Sequence, residues 1–230
     1  MRIQGLQKLT LLDYPEHTAC TVFTAGCNFR CPFCHNASLV VDIPKEEQIS
    51  EEEFFAFLQK RIGIIDGVCV SGGEPLLQPD IEQFIRKIKD MGFKVKLDTN
   101  GSFPEKLIEL VENRLVDYVA IDVKNSLNKY SETVGRLGYD TERVCQSIEF
   151  LMKSDIDYEF RTTVISELHT AEDIDSIGRF IAGAKRWYLQ NFVDSGDLIC
   201  AEMHGITKEV MNQYIEIARK YVPTAEVRGV

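Results

Sequence analysis

Three of the chain's seven cysteines fall within eight residues, in Gly26-Cys27-Asn28-Phe29-Arg30-Cys31-Pro32-Phe33-Cys34-His35-Asn36. Three thiolates on one loop can converge on a single inorganic centre. A structural zinc site takes four ligands, commonly as two Cys-x2-Cys halves far apart in sequence, and no second half is present. His35 directly follows Cys34, where chelation of the same ion is strained. A four-iron cluster takes four thiolates. Three would leave one iron open to something other than protein, which is the arrangement of a catalytic centre rather than of a staple. The other cysteines, Cys20, Cys69, Cys145 and Cys200, are scattered. Clustering without pairing argues for metal or catalysis over a disulfide framework. Structural zinc and chance clustering stand as the alternative readings.

Further along, Ser71-Gly72-Gly73-Glu74-Pro75 follows an apolar run. Gly-Gly lets backbone approach a ligand closely, and Glu74 offers an anion to an ammonium group, although such a turn is also simply a turn. Leu97-Asp98-Thr99-Asn100-Gly101 and Ile121-Asp122-Val123-Lys124 close two more apolar runs. Each aspartate could cap a turn. Two at adjacent strand ends would repel unless a cation or basic group lay between them, and Lys124 is placed to meet a carboxylate. Arg161, in Arg161-Thr162-Thr163-Val164, is a charge inside a strand and must reach an end or a partner.

Strands and helices alternate to position these groups. Strands are predicted at 19–24, 66–71, 93–99, 117–122, 158–165 and 187–193, with a final one at 225–228. Helices are predicted at 50–62, 79–91, 104–113, 141–154, 170–184 and 207–221. Ser50 with Glu53 forms a capping box, with Phe54, Leu58 and Ile62 on one helix face. Thr170 caps with Asp173, and Gly92 suits a C-terminal cap. The cysteine loop runs to about Pro44. Strict alternation implies a parallel sheet with helices outside. Ser71, Asp98, Asp122 and Arg161 lie at or near the C-terminal ends of successive strands, the edge where ligands bind. Several strands converging on one ligand favour curvature. The expectation is an α/β fold, a partial (β/α)6 TIM-like barrel, with residues 1–230 as one domain.

The 230 residues carry 26 Lys and Arg against 36 Asp and Glu, a net charge of −10. That argues against broad binding of nucleic acid or an anionic membrane, which need a positive field. No apolar run approaches a membrane span and the N-terminus lacks a signal-peptide h-region, so a cytoplasmic protein is expected.

The spacing Cys-x3-Cys-x2-Cys with Phe33 before the last cysteine resembles the signature of the radical S-adenosylmethionine (SAM) superfamily. The resemblance implies a [4Fe-4S] cluster on Cys27, Cys31 and Cys34. Its open iron would chelate SAM, whose reductive cleavage releases a 5′-deoxyadenosyl radical. Phe33 would then pack near the adenine, the backbone around Cys34 and His35 would help hold it, and Gly72, Gly73 and Glu74 would bind the methionine amino group. The Asp98-Thr99-Asn100-Gly101 and Asp122-Val123-Lys124 segments resemble those of glycyl-radical-enzyme activases, such as the pyruvate formate-lyase activase. That likeness implies that Lys124 holds the cofactor carboxylate, that Asp98 and Asp122 hold a monovalent cation, and that Thr99, Asn100 and Val123 lie on the cofactor side. Arg161 would face the cofactor, and Gln190 would replace a histidine that contacts the ribose.

The opening segment Gly5 to Pro15, the segment Phe23 to Asn36 and the segment Leu189 to Gly196 resemble anaerobic ribonucleoside-triphosphate reductase activating proteins. These often carry Gly after Asp-Tyr-Pro, where this chain has Glu16, and the resemblance therefore leaves the target open. Asp13-Tyr14-Pro15 is expected to border the barrel mouth. The implied partners are a glycyl radical enzyme, first an anaerobic ribonucleotide reductase, and a flavodoxin or ferredoxin donor. A radical enzyme acting on a small molecule, as in deazapurine ring contraction, and an activase of another glycyl radical enzyme are the alternatives. Replacing Cys27, Cys31 or Cys34 by Ala is expected to abolish the cluster, whereas Cys20, Cys69, Cys145 and Cys200 variants keep it. Iron and sulfide analysis after anaerobic reconstitution checks this.

Overall fold

The computed structural model describes residues 1–41, 43 and 48–228; Pro44, the expected end of the cysteine loop, lies outside them. The strands are β1 (Ile3–Thr10), β2 (Ala19–Thr24), β3 (Gly67–Gly72), β4 (Lys94–Thr99), β5 (Tyr118–Asp122), β6 (Asp157–Val164), β7 (Trp187–Asn191) and β8 (Glu226–Arg228), following one another in chain order through the sheet. The helices among the described residues are α1 (Ala37–Val40), α2 (Glu51–Gln59), α3 (Ile81–Asp90), α4 (Pro104–Glu112), α5 (Tyr130–Thr133), α6 (Glu142–Lys153), α7 (Ala171–Phe180) and α8 (Lys208–Arg219). The chain forms two compact units. One comprises Met1–Asn28, Ser38–Thr99 and Phe103–Val119; the other comprises Phe29–Ala37, Asn100–Ser102 and Ala120–Val230.

In the first unit β2, β3 and β4 run parallel, Ala19 opposite Gly67 and Gly67 opposite Lys94. Their residues are largely buried, as expected of parallel strands covered on both faces. The amphipathic helix α3 buries Ile81, Phe84, Ile85 and Ile88. Helix α2 buries Phe54 and Leu58 behind the expected Ser50/Glu53 capping box, with the Phe54 ring 5.1 Å from that of Phe84. Ile62 does not join them. The helix ends at Gln59 in tighter turns, with Lys60 N–H donating to Phe57 O and Arg61 N–H to Leu58 O, which rotates Ile62 off the apolar face and exposes it.

Strand β1, antiparallel to β2, was not expected. Only Ile3 and Thr10 of its eight residues are buried, so it lacks the continuous apolar run or clean alternation that marks a strand in sequence. Its presence turns the chain around before β2 and moves the Asp13-Tyr14-Pro15 segment. That segment lies at the N-terminal ends of β2 and β3, the sheet edge opposite the one where Thr24 leads to Cys27. Thr18 donates to Asp66 Oδ2 through its N–H (2.9 Å) and hydroxyl (2.7 Å), and the buried Tyr14 packs with Ala19 and Tyr118. The expectation that this segment borders the barrel mouth is therefore corrected. Glu16 has φ of 64°, a left-handed backbone that Gly adopts at little cost. A preference for Gly at this position follows from the turn, without reference to a target.

In the second unit β6, β7 and β8 are parallel. Thr170 and Asp173 form the expected capping box at the start of α7. Helix α6 buries Val144, Ile148 and Leu151, and Trp187 is buried with its indole N–H donating to Thr162 Oγ1 at 3.0 Å. Arg161 is the fifth residue of β6, three before its end, so it sits within the strand rather than at its tip. Glu16→Gly is expected to leave stability unchanged or raise it by about 1 kcal/mol, and Glu16→Val to lower it by about 1 kcal/mol, by the left-handed penalty of β-branched residues; urea denaturation checks the order.

Candidate active site

In the first unit, the parallel pairing of Thr24 with Gly72 brings the chain leading to Cys27 beside the Gly72-Gly73-Glu74 turn. Gly73 N–H donates to Thr24 O at 2.9 Å and Glu74 N–H to Gly26 O at 2.8 Å. A Cβ on Gly73 would lie 2.0 Å from Gly26 O, and one on Gly72, where φ is 111°, 2.4 Å from Thr24 N. The sequence reading assigned these glycines to the approach of a ligand. The structure gives them a second reason, the approach of one backbone to another beside a cysteine.

Glu74 is fully buried. Its Oε1 accepts from Leu76 N–H at 3.0 Å and from Thr99 Oγ1–H at 2.8 Å. A buried carboxylate is suited to a cationic amine as a partner. Asp98 Oδ2 accepts from Ser71 Oγ–H at 3.2 Å, and Lys96, almost fully buried, pairs with Asp98. Lys96 was not singled out from sequence. The available signal was its spacing, since residues two apart in a strand share a face.

In the second unit, Asp122 at the end of β5 is shared by two cations. Arg161 Nε–H donates to its Oδ1 at 2.9 Å, and Lys124 Nζ–H to its Oδ2 at 3.0 Å. Burial works against the Asp122 charge, but the Arg161 guanidinium and the Lys124 ammonium outweigh it and hold the carboxyl well below the usual range. Burial likewise opposes the Lys124 ammonium, but Asp122, with Cys31 next, holds its pKa above that of an ordinary lysine. The Lys124 Nζ lies 5.9 Å from the Phe33 ring centroid. Lys124, Asp122, Phe33, Cys31 and Cys34 thus form one neighbourhood. Each aspartate expected to share a cation has a basic partner of its own, Lys96 for Asp98 and Arg161 with Lys124 for Asp122.

The charges continue along the same sheet face. Arg161 Nη1 lies 4.0 Å from Oε1 of the fully buried Glu159. Arg228 binds both Glu159 oxygens, at 3.0 and 3.3 Å, with its guanidinium 3.6 Å above the Tyr188 ring. Gln190 pairs in register with Thr163 and Arg228, so it shares this polar face with Arg161. Val123 is buried, and Asn100 Oδ1 accepts from Ser102 N–H (2.9 Å) and Oγ–H (2.5 Å), closing a turn.

The cysteine loop has two supports in this unit. Behind it, Arg30 N–H donates to Val134 O at 2.9 Å, and the Phe29 ring sits 4.9 Å from Tyr139. Across it runs the segment after β7. Cys200 N–H donates to Pro32 O at 2.9 Å, Ala37 N–H to Asp197 O at 3.4 Å, and Ser195 Oγ–H to His35 O at 3.4 Å. The His35 ring lies 5.0 Å from Phe192. Its pKa is lowered, first by burial and then by Lys124. Residue 204 ties the strap down: His204 N–H donates to Glu167 Oε2 at 3.0 Å, while its Nδ1 lies 2.7 Å from Oε1. No role for residues 197–206 is legible in the sequence.

Among the described residues no cysteine is in a disulfide. Burial pushes Cys20 up to about 12 and also raises Cys34. Among the described residues, no three His, Cys, Asp or Glu side chains close up as the ligands of one metal ion. In a four-iron cluster each thiolate binds a different iron, so its cysteines do not converge on one point. Among those residues, too, no helix is long and apolar enough to cross a membrane. Gly73→Ala is expected to cost about 2–3 kcal/mol and to reduce iron retention, because the obstructing atom is backbone. Gly92→Ala, whose Cβ meets nothing within 4 Å at φ of 89°, costs only the backbone strain, about 1 kcal/mol, and keeps its iron. Denaturation and iron content check both.

Residues 21–181 match the Radical SAM superfamily. A Methanocaldococcus jannaschii protein named "Putative glycyl-radical enzyme activating enzyme" is 33% identical over 236 residues, covering 99% of this chain and 96% of that protein. A domain of pyruvate-formate lyase-activating enzyme from Bacteroides vulgatus superposes with a TM-score of 0.60 at 23% identity, covering 71% of this chain and 99% of that domain. SuiB of Streptococcus suis, bound to precursor peptide SuiA, superposes with a TM-score of 0.71 at 12% identity, covering 91% of this chain and 48% of SuiB. The two superpositions show the fold, an open parallel α/β sheet in keeping with the partial (β/α)6 barrel expected. With its cysteine motif inside the matched region and a relative aligned over nearly its whole length, the chain belongs to the radical SAM superfamily, as an enzyme of the activating type that works with a [4Fe-4S] cluster and SAM.

Proposed function

We propose that this enzyme activates a glycyl radical enzyme, and that its target is a glycine on a loop of an anaerobic ribonucleoside-triphosphate reductase. The observation that carries the reading is the Lys124 neighbourhood, an ammonium held by Asp122 beside Phe33 and the Cys31 and Cys34 thiols. The donor set fits the cofactors. Cys27, Cys31 and Cys34 are in no disulfide, and three thiolates would leave one iron for SAM. A cluster held by Cys27, Cys31 and Cys34 would supply the one-electron reduction of SAM that gives methionine and a hydrogen-abstracting 5′-deoxyadenosyl radical, with the glycine Cα–H as the proposed donor.

The chain's own residues bind and orient. Lys124 meets the SAM carboxylate, its charge kept by Asp122. Glu74 accepts from the amino group, with Gly72 and Gly73 keeping its turn close to the chain that enters Cys27. Phe33 and His35 border the adenine, Gln190 reaches the ribose, and Thr99, Asn100 and Val123 shape the strand ends around them. Arg161 holds Asp122 from the far side. Asp98 and Asp122 are each a candidate ligand for a monovalent cation, beside the basic partner each already has. The strap from Phe192 to Ile206 braces the cysteine loop through its hydrogen bonds to Pro32, His35 and Ala37. The electron comes from a flavodoxin or ferredoxin in the cytoplasm. Support for the reductase as target is the resemblance of residues 5–15, 23–36 and 189–196; the relative's name supports the wider activase reading.

Lys124→Ala is expected to weaken SAM binding about ten- to a hundredfold with iron content intact, the loss of one charge-assisted contact. Equilibrium dialysis on reconstituted protein measures it, and an unchanged dissociation constant removes the assigned role. The target is tested by electron paramagnetic resonance under anaerobic conditions with reductant, SAM and the reductase. A doublet that vanishes when the reductase glycine is replaced by Ala is expected. Formation of 5′-deoxyadenosine with no protein radical on any glycyl radical enzyme would move the assignment to a small-molecule substrate.

A further inference from the structure

Lys124 has to present its ammonium at a fixed place, and its side chain is long. Four flexible torsions separate the charge from the backbone, so the direction in which the main chain launches it matters. In the second unit this stretch of main chain is held at successive points. Val123 N–H donates to Arg161 O at 2.8 Å, Thr162 Oγ1–H donates to Val123 O at 2.9 Å, and the next residue is anchored by its side chain, Asn125 Nδ2–H donating to Leu168 O at 3.0 Å and Thr133 Oγ1 at 2.9 Å. The group on Lys124's own carbonyl is the ring of His169, whose Nε2 lies 2.9 Å from Lys124 O.

His169 is built for that contact. It lies in the turn after β6, 3% exposed, and its own backbone is fixed at both ends. Its N–H donates to Ile165 O at 2.9 Å, and its carbonyl accepts from Tyr214 Oη–H at 3.1 Å. Ile165 N–H donates to the ring Nδ1 at 3.2 Å. A nitrogen that accepts carries no proton, so Nε2 carries it in the neutral ring. The ring is therefore a one-way clamp: it accepts from the turn after β6 and donates to the turn after β5.

We infer that His169 is a positioning residue for Lys124, gripping its carbonyl through Nε2–H and so fixing where the ammonium meets the carboxylate of SAM. This deepens the proposed function and rests on the reading that Lys124 binds that carboxylate. Removing the ring leaves the Lys124 carbonyl buried without its donor and lets the Lys124 peptide turn, while Lys124 itself, Asp122 and the cysteines stay in place. Loss of one neutral hydrogen bond corresponds to an effect of about three- to tenfold on affinity.

The two ring nitrogens can be tested apart. Gln places an amide N–H near the Nε2 position and can keep the donation to Lys124. Asn places its oxygen near the Nδ1 position and keeps the acceptance from Ile165 alone. The experiment is equilibrium dialysis of SAM against anaerobically reconstituted wild type, His169→Ala, His169→Asn, His169→Gln, Lys124→Ala and the Lys124→Ala/His169→Ala double variant, with iron content and melting temperature recorded for each. The expected result is a three- to tenfold weaker affinity for the Ala and Asn variants, near wild-type affinity for Gln, and no further weakening from His169→Ala once Lys124 is gone. Should the Ala variant fail to fold, the Asn and Gln pair carries the comparison. Wild-type affinity in all three single His169 variants, equal loss in Asn and Gln, or effects that multiply in the double variant would overturn the inference while leaving the Lys124 assignment standing. Wild-type affinity in Lys124→Ala would remove both.

Discussion

A carboxylate shared between two cations organises the second unit. Asp122 ends β5 with one oxygen on Arg161 and the other on Lys124. Taking a carboxylate out of water is costly unless charges and hydrogen bonds answer it, and here each oxygen has its own answer. The arrangement sets the rest in order. Arg161 is drawn from the middle of β6 onto the open face, with Glu159 and then Arg228 continuing the alternation of sign. Lys124 is drawn toward the cysteine loop and kept protonated. Removing Asp122 alone would leave two like charges facing each other beside the thiols.

The first unit meets a different constraint, one of space. Parallel pairing of β2 with β3 brings two loops together at one sheet edge, and only glycine fits where the Gly72-Gly73 turn crosses Thr24 and Gly26. The close approach also carries Glu74 into the interior, where it caps the short 3-10 turn Pro75–Leu77 and meets Thr99. The same few residues thus hold the backbone that enters Cys27 and present a buried anion.

Chemistry was legible in the sequence where a residue type and its spacing declare a function. The three cysteines, Glu74 behind two glycines, and Asp122 with Lys124 stand out as residue types seldom placed for packing alone. Strand and helix cores were legible where an apolar period runs unbroken, as in α3 and β2. The unread parts depend on partners distant in the chain. His169 is one histidine in a polar turn until the fold sets it against Lys124, forty-five residues away. Residues 194–206 have no period, and their value lies in hydrogen bonds to Pro32, His35 and Ala37. Strand β1 is an edge strand with few buried positions, and missing it placed Asp13-Tyr14-Pro15 at the wrong end of the sheet. Glu16 adopts a left-handed backbone that its residue type does not announce.

On the proposed reading, Cys27, Cys31 and Cys34 hold a four-iron cluster with one iron open to SAM. Low-temperature electron paramagnetic resonance of the reconstituted, reduced protein tests it most directly, recorded without and with SAM. A reduced [4Fe-4S] signal whose g-values shift when SAM is added is expected, because SAM would bind the cluster itself. A cluster signal unmoved by saturating SAM, or stoichiometric zinc in place of iron, would contradict it.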